Sequence, residues 1–189
     1  MTSDDESDDA LIARAASGDR GAASVLIARH SPTVLGICRR MMMNRAHADD
    51  AAQETFLKLW EFAPRWKPTG APLGAWLARV AGNACLDRLR MRTREAPEEA
   101  AGEQVDEALT AFEKLSREDR RVAVEAALEE LPDRQRLAVL LCHYQELTNA
   151  EAAATMKISV DALESLLSRA RRSLRTALAA QREELMEGV

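Results

Sequence analysis

The sequence predicts an all-α protein of two small helical domains joined by an acidic linker. Three observations carry that prediction. Of 189 residues, 47% are hydrophobic and 30% charged, but only 4% are aromatic. The Ala, Leu, Arg and Glu that dominate lose little freedom in a helix. Long β-branched runs with two-residue alternation are absent, which excludes a sandwich or barrel. A composition break over 93–104 (TREAPEEAAGEQ) holds Pro97, Gly102 and dense acids with no large apolar residue. It divides the chain into domains over 1–94 and 119–189, with 95–118 between them.

The elements follow in order. A first helix runs from Asp8 or Asp9 to Gly18, and further helices cover 19–30 and 32–43. A fourth covers 48–63, and a fifth covers 72–94 with Pro72 near its start. In the linker, Val105, Ala108, Leu109 and Phe112 take the spacing of a short amphipathic helix. Beyond it, one helix covers 119–130 and Pro132 opens another that reaches Tyr144. Thr148-Asn-Ala-Glu151 is a capping box opening a short helix. Ser159 caps the last one, from Val160 to about Arg182, with Asp161 favourable in its first turn. A short helix, a tight turn at Lys157-Ile158 and a longer basic helix make a helix-turn-helix.

Net charge is −5, which by itself argues against nucleic acid. The distribution argues the other way. Residues 1–9 carry five acids and no base, and 95–119 carry nine acids against Lys114 and Arg117. Residues 79–94 carry five arginines against Asp87 alone, and 169–175 carry four arginines and no acid. Local field governs binding more than total charge does.

Other classes are excluded in turn. No apolar run approaches the ~18 residues of a membrane span, and the acidic N-terminus lacks the order of a secretory signal. A cytoplasmic protein is expected. Cys38, Cys85 and Cys142 are an odd set without a CxxC pair, so buried thiols are expected rather than disulfides or a zinc site. No Gly-rich phosphate loop, HExxH or GxSxG is present, and His30, His47 and His143 have no recurring spacing. No enzyme, metal or cofactor is expected.

Three faces remain. On the last helix Val160, Leu163, Leu167, Ala170 and Leu174 form an apolar seam. The opposite face collects Asp161, Ser165, Ser168, Arg169, Arg172 and Thr176, flanked by Arg171 and Arg175. Hydroxyls ahead of arginines suit a major groove, although a solvated bundle helix would show the same split. On 72–94, Leu77, Ala81, Ala84, Cys85 and Leu89 share a buried face, while Arg79, Asn83, Arg90 and Arg94 form a polar stripe. With the Pro/Gly loop over 64–72, which holds Trp66 and Lys67, the stripe resembles a single-strand surface. Trp66 and Trp76 read first as core side chains and only second as stacking platforms. On 48–63, Ala48, Ala52, Phe56, Leu59 and Ala63 point inward. Asp50, Gln53, Glu54, Leu57 and Glu61 point outward, and one exposed leucine among acids fits chance and docking on a basic protein equally well.

These segments also resemble a known family. AHADDAAQETFLKLW (46–60), through Asp50, Gln53, Glu54, Phe56 and Trp60, resembles the second conserved region of bacterial sigma factors. GAPLGAWLARVAGNACLDRLRMR (70–92) is similar to the helix that follows it, through Trp76-Leu77, Arg79, Asn83, Asp87, Arg88 and Arg90. ALEELPDRQRLAVLL (127–141) and the stretch from Gln145 to Leu174 resemble the promoter-reading region 4. Two conserved regions joined by a short linker point to the extracytoplasmic-function group (group IV) of the sigma-70 family. Some positions depart from the pattern. Ala23 and His30 stand where aromatics are usual, Lys157 where a turn glycine is common, and Glu164 and Leu166 where residues are often basic. A non-glycine at 157 calls for a left-handed backbone.

The resemblance implies an alternative sigma factor that directs promoter recognition, melting and initiation, in a stress or envelope response. Asp50, Gln53, Glu54 and Leu57 would contact the clamp helices of the RNA polymerase largest subunit, and the C-terminal domain would contact the flap. Arg65, Trp66, Lys67, Arg79, Asn83, Arg88 and Arg90 would bind the melted −10 element. Ser165, Ser168, Arg169, Arg171, Arg172 and Arg175 would enter the −35 major groove. An anti-sigma factor would hide the basic faces, and the acidic linker would lie on the path of nascent RNA. Two alternatives stay open: a sigma-mimic that sequesters an anti-sigma protein, and a plain helix-turn-helix regulator. The regulator leaves the Asp50/Gln53/Glu54 face unexplained.

Overall fold

The computed structural model describes residues 6–42, 44–68, 72–95, 117–145 and 147–187, the side chains of 92–95, 117–120 and 180–187 excepted. They form two helical units, Met1–Arg88 and Leu89–Val189. The expected helix over 105–112 lies outside the described residues.

In the first unit, α1 (Asp8–Ala16) is capped by Ser7, whose hydroxyl accepts from the Ala10 amide at 3.3 Å. α2 (Arg20–Met41) is capped by Asp19, which accepts from the Gly21 and Ala22 amides at 2.8 and 3.1 Å. The two helices expected over 19–30 and 32–43 are a single one, with Pro32 inside it. A proline in a helix interior costs about 3 kcal/mol. Here the buried stripe of Ala22, Leu26, Val34, Ile37, Cys38 and Met41 runs past it on both sides, and that burial outweighs the lost hydrogen bond. α2 packs against α1 and α3.

α3 (Arg45–Phe62) begins three residues earlier than its apolar pattern suggests. Asn44 Oδ1 accepts from the Ala46 and His47 amides at 2.9 and 3.2 Å and sets the start. Ala48, Ala51, Ala52, Thr55 and Leu59 are buried, whereas Phe56, expected inside, is only half-buried. A tight turn at Ala63–Arg65 leads on, and α4 covers Leu73–Glu95. It buries Leu77, Ala81, Ala84 and Cys85 as expected, but Leu89 only in part. Cys38 and Cys85, far apart in sequence, meet in this core. The Cys38 thiol and burial together push the Cys85 thiol up, and all three cysteines are free, with Cys142 half-buried.

The second unit contains α5 (Arg117–Glu129), α6 (Asp133–Val139), a wider turn over Leu140–Tyr144, α7 (Asn149–Met156) and α8 (Val160–Glu187). α8 packs against α5, α6 and α7. Arg136 is 5% exposed, and its Nη2 donates to the carbonyls of Glu129 and, at 3.0 Å, Leu131. A guanidinium thus closes the C-terminal end of α5, where cations are favoured, and burial pulls its pKa down. The apolar seam of α8 holds at Leu163, Leu167 and Ala170, while Leu174 is half-buried and Val160 is 40% exposed. Val160 opens the helix, ahead of the stretch that packs.

The turn between α7 and α8 decides how α8 is presented. The Thr148 hydroxyl accepts from the Glu151 amide at 3.3 Å, and Glu151 Oε2 accepts from the Thr148 amide at 2.9 Å, so the capping box forms as read. Lys157 takes the left-handed conformation, φ 54° and ψ 48°, and its amide reaches back to the Ala154 carbonyl at 3.3 Å. Ser159 Oγ then accepts from the Ala162 amide at 3.1 Å and starts α8.

Two outcomes test this turn. Lys157→Gly should stabilise the full chain by up to about 1 kcal/mol, because a side chain in this region costs roughly that much, and Lys157→Val should destabilise it; urea unfolding midpoints check both. Hydrogen bonds from the Thr148 hydroxyl and amide hold the Glu151 carboxyl below its ordinary 4.5. That contribution is therefore complete above the unfolded value and is lost as pH falls through the lower folded value. Thr148→Ala should cost about 1 kcal/mol at pH 7, and the gap from wild type should narrow on acidification without closing, because the bond from the Glu151 amide to the Thr148 hydroxyl does not titrate; unfolding midpoints from pH 7 to pH 3 check this.

Candidate polymerase and promoter interfaces

The outer face of α3 is polar and open. Asp50, Gln53 and Glu61 are exposed, and Leu57 is 54% exposed at their centre. Glu54 is held more firmly. Its Oε1 lies 2.6 Å from Lys58 Nζ, and its Oε2 is paired with the Arg88 guanidinium of α4. Lys58 and then Arg88 keep the Glu54 carboxyl below the usual glutamate range against the opposing effect of burial. One residue expected on the polymerase face and one expected on the −10 face are therefore partners. Arg88 also donates to the Ala84 carbonyl at 3.3 Å.

Phe62 of α3, Trp76 of α4 and Trp66 between them in sequence form an aromatic cluster. The rings of Phe62 and Trp76 stack at 5.4 Å with 15° between planes. Trp66 meets each of them edge-on at 6.2 Å and 89°. All three remain partly exposed, so Trp66 and Trp76 are neither core nor free platforms. Arg65 and Lys67, on either side of Trp66, are exposed. On α4, Arg79 and Asn83 are half-buried and Arg90 is exposed. The side chain of Arg94 lies outside the described residues.

On α8, Ser165, Ser168, Arg169, Arg171, Arg172 and Arg175 are all exposed on the side away from Leu163, Leu167 and Ala170. Ser165 Oγ donates to the Asp161 carbonyl at 2.9 Å, which leaves its lone pairs to accept from a base. Arg171 Nε donates to the Leu167 carbonyl at 3.3 Å. Glu164 accepts from Asn149 Nδ2 at 3.3 Å and so joins α8 to the start of α7. At this position a carboxylate does structural work where the family often carries a base.

The sequence reading missed Asp9, Asn44 and Arg136. Asn44 was legible as a cap type before a helical pattern. Arg136 follows Pro132 within the 127–141 motif but gave no sign of burial. Asp9 makes its contact across the fold and gave none at all. Among the described residues no group of His, Cys, Asp and Glu could hold a metal ion, and no helix is long and apolar enough to cross a membrane.

Comparison with known proteins gives the family. Residues 26–95 match the model of sigma-70 region 2, and 121–174 match that of sigma-70 region 4. The extracytoplasmic-function sigma factor SigK of Mycobacterium ulcerans is 30% identical over 174 residues, covering 89% of this chain and 92% of that protein. The chain belongs to the extracytoplasmic-function sigma factors. The RNA polymerase sigma-H factor of Pseudomonas aeruginosa is 29% identical, covering 92% and 94% of the two chains. The structure of CnrH, solved in complex with the cytosolic domain of CnrY, superposes with a TM-score of 0.65 at 29% identity over 93% of this chain and 99% of that one. Members of this family are transcription regulators, and this one is an alternative sigma factor that directs transcription initiation.

The Glu54–Arg88 pair is open to a double-mutant cycle. Both side chains are about a third exposed, so screening limits the pair to about 0.5–1 kcal/mol. Glu54→Gln, Arg88→Ala and the double variant, unfolded in urea, should give a coupling in that range. Additive losses would show that Lys58 alone satisfies Glu54.

Proposed function

We propose that this sigma factor grips core RNA polymerase and promoter DNA through the three faces in a fixed division of labour. Asp50, Gln53, Glu54 and Leu57 dock on the clamp helices of the largest subunit, with carboxylates steering approach and Leu57 as the apolar anchor. Arg65, Trp66, Lys67, Arg79, Asn83 and Arg90 hold the melted non-template strand of the −10 element. Arg88 belongs to this set at its edge, through Glu54. Unstacking a base costs a few kcal/mol, offset when the extruded base is captured. Ser165, Ser168, Arg169, Arg171, Arg172 and Arg175 lie in the −35 major groove, hydroxyls toward base edges and guanidinium groups toward phosphates.

The domains are 1–94 and 119–189, with 95–118 linking them, and the second also meets the polymerase flap. All of this work is binding, with no catalytic step assigned to the chain, and it takes place in the cytoplasm. A proteinaceous inhibitor that covers the basic faces is the expected regulator, and a stress or envelope signal is the expected trigger.

The observation that carries the reading is the row of exposed serines and arginines on α8, set opposite its buried seam and behind a rigid left-handed turn. Run-off transcription with purified core polymerase on genomic promoter fragments tests the whole. Arg169→Ala and Arg172→Ala should each weaken −35 binding and reduce the slope of log affinity against log salt by about 1. A footprint and slope unchanged by both would mean that α8 is not in the groove.

A further inference from the structure

The first turn of α1 carries two adjacent carboxylates with different partners. Asp8 turns toward α2: Oδ1 accepts from Arg29 Nη1 at 2.7 Å, and Oδ2 lies 2.9 Å from His30 Nε2. Arg29 Nη1 also donates to the Glu6 carbonyl at 3.0 Å, which fixes the approach of the chain to α1. Asp9 turns the other way. Its Oδ1 accepts from Trp66 Nε1 at 2.7 Å, across 57 residues of sequence. The body of α1 lies against the tight turn Ala63–Arg65 just ahead of that tryptophan.

An indole has one donor and no acceptor, so this hydrogen bond uses its entire polar capacity and sets its rotation. Trp66 is held edge-on to the Phe62–Trp76 stack. Its neighbours Arg65 and Lys67 are exposed on either side of it. Asp9 lies outside the segment 26–95 that matches region 2. α1 thus reaches the −10 loop from beyond the conserved region.

We propose that Asp9 is a positioning residue for strand capture. By anchoring the Trp66 indole it pre-orders Arg65, Trp66 and Lys67, so that less conformational freedom is lost when the melted strand binds. The inference rests on the assignment of this loop to the −10 strand. α1 is then part of the melting apparatus without touching DNA. Core binding and −35 binding do not depend on Asp9.

The test uses the full-length protein with core polymerase on a promoter found by run-off transcription, with 2-aminopurine placed in the −10 element. Wild type should raise the fluorescence as the strand opens. Asp9→Ala should lower the equilibrium fraction of open complex about five-fold, the worth of one net hydrogen bond, with circular dichroism, core affinity and −35 footprint unchanged. Asp9→Asn keeps a carbonyl oxygen for the indole and should recover most of the loss. In a Trp66→Phe background, which lacks the N–H, Asp9→Ala should add nothing.

Opening by Asp9→Ala equal to that of wild type would overturn the proposal. So would a loss of helix content or core affinity parallel to the loss of opening, which would make the contact merely structural. A wild-type chain that binds core but opens no promoter would overturn the −10 assignment itself, and this inference with it.

Discussion

Close packing of alanines is the constraint on which the N-terminal unit depends. Ala22 of α2, Ala48, Ala51 and Ala52 of α3, and Ala78, Ala81 and Ala84 of α4 are all buried. Helices that meet through such small side chains approach toward the short end of the 8–10 Å range. Long polar side chains then have no place in the contact and are pushed to the rim. Functional faces arise here as the complement of a tight core. Asp50, Gln53 and Leu57 are exposed because the alanines between them in the helical pattern are inside. Any enlargement of those alanines would separate α3 from its neighbours and tilt the face that they carry.

The fold also joins surfaces that sequence treats as separate. Glu54 of α3 and Arg88 of α4 are near enough to pair, and Phe62 of α3 stacks on Trp76 of α4. On the proposed roles, an acidic face for protein and a basic stripe for DNA would repel wrong partners most strongly if their charges were segregated. Instead, one charge of each sign is neutralised at the seam. An exposed leucine, Leu57, stands on α3, and the partly exposed Trp66 lies beyond the end of that helix.

Much of this was legible in sequence, for reasons that differ by element. The last helix, read from Val160 to about Arg182 and observed to Glu187, could be read because amphipathic spacing and a Ser cap agree, and the turn at Lys157 because only one backbone conformation fits a tight helix-turn-helix there. α2 was misread as two helices because Pro32 is a strong local breaker, while the apolar stripe that overrides it shows only when both halves are known to face one core. Phe56 and Val160 were placed inside by periodicity alone, which cannot tell the packed middle of a helix face from its margin. Arg136 and Asp9 were invisible for a further reason. Their partners are backbone carbonyls or a side chain far along the chain, and a single sequence carries no record of either pairing.

Finally, a chain with a net charge of −5 that holds DNA is not a paradox once distances are considered. Near physiological salt the screening length is about 8 Å. A stretch of α8 from 160 to 176 is about 24 Å long, so its two ends are separated by several screening lengths. On the proposed placement of α8 in the −35 groove, a phosphate facing Arg169 and Arg172 responds to those groups more than to any charge several screening lengths away. Counterion release depends on the cations in contact with the phosphates. The acids still matter away from the contact, because they weaken the attraction of the free protein to polyanions at low salt, where screening is long. Selectivity then grows with proximity: only a duplex fitted closely to α8 meets the arginines at full strength.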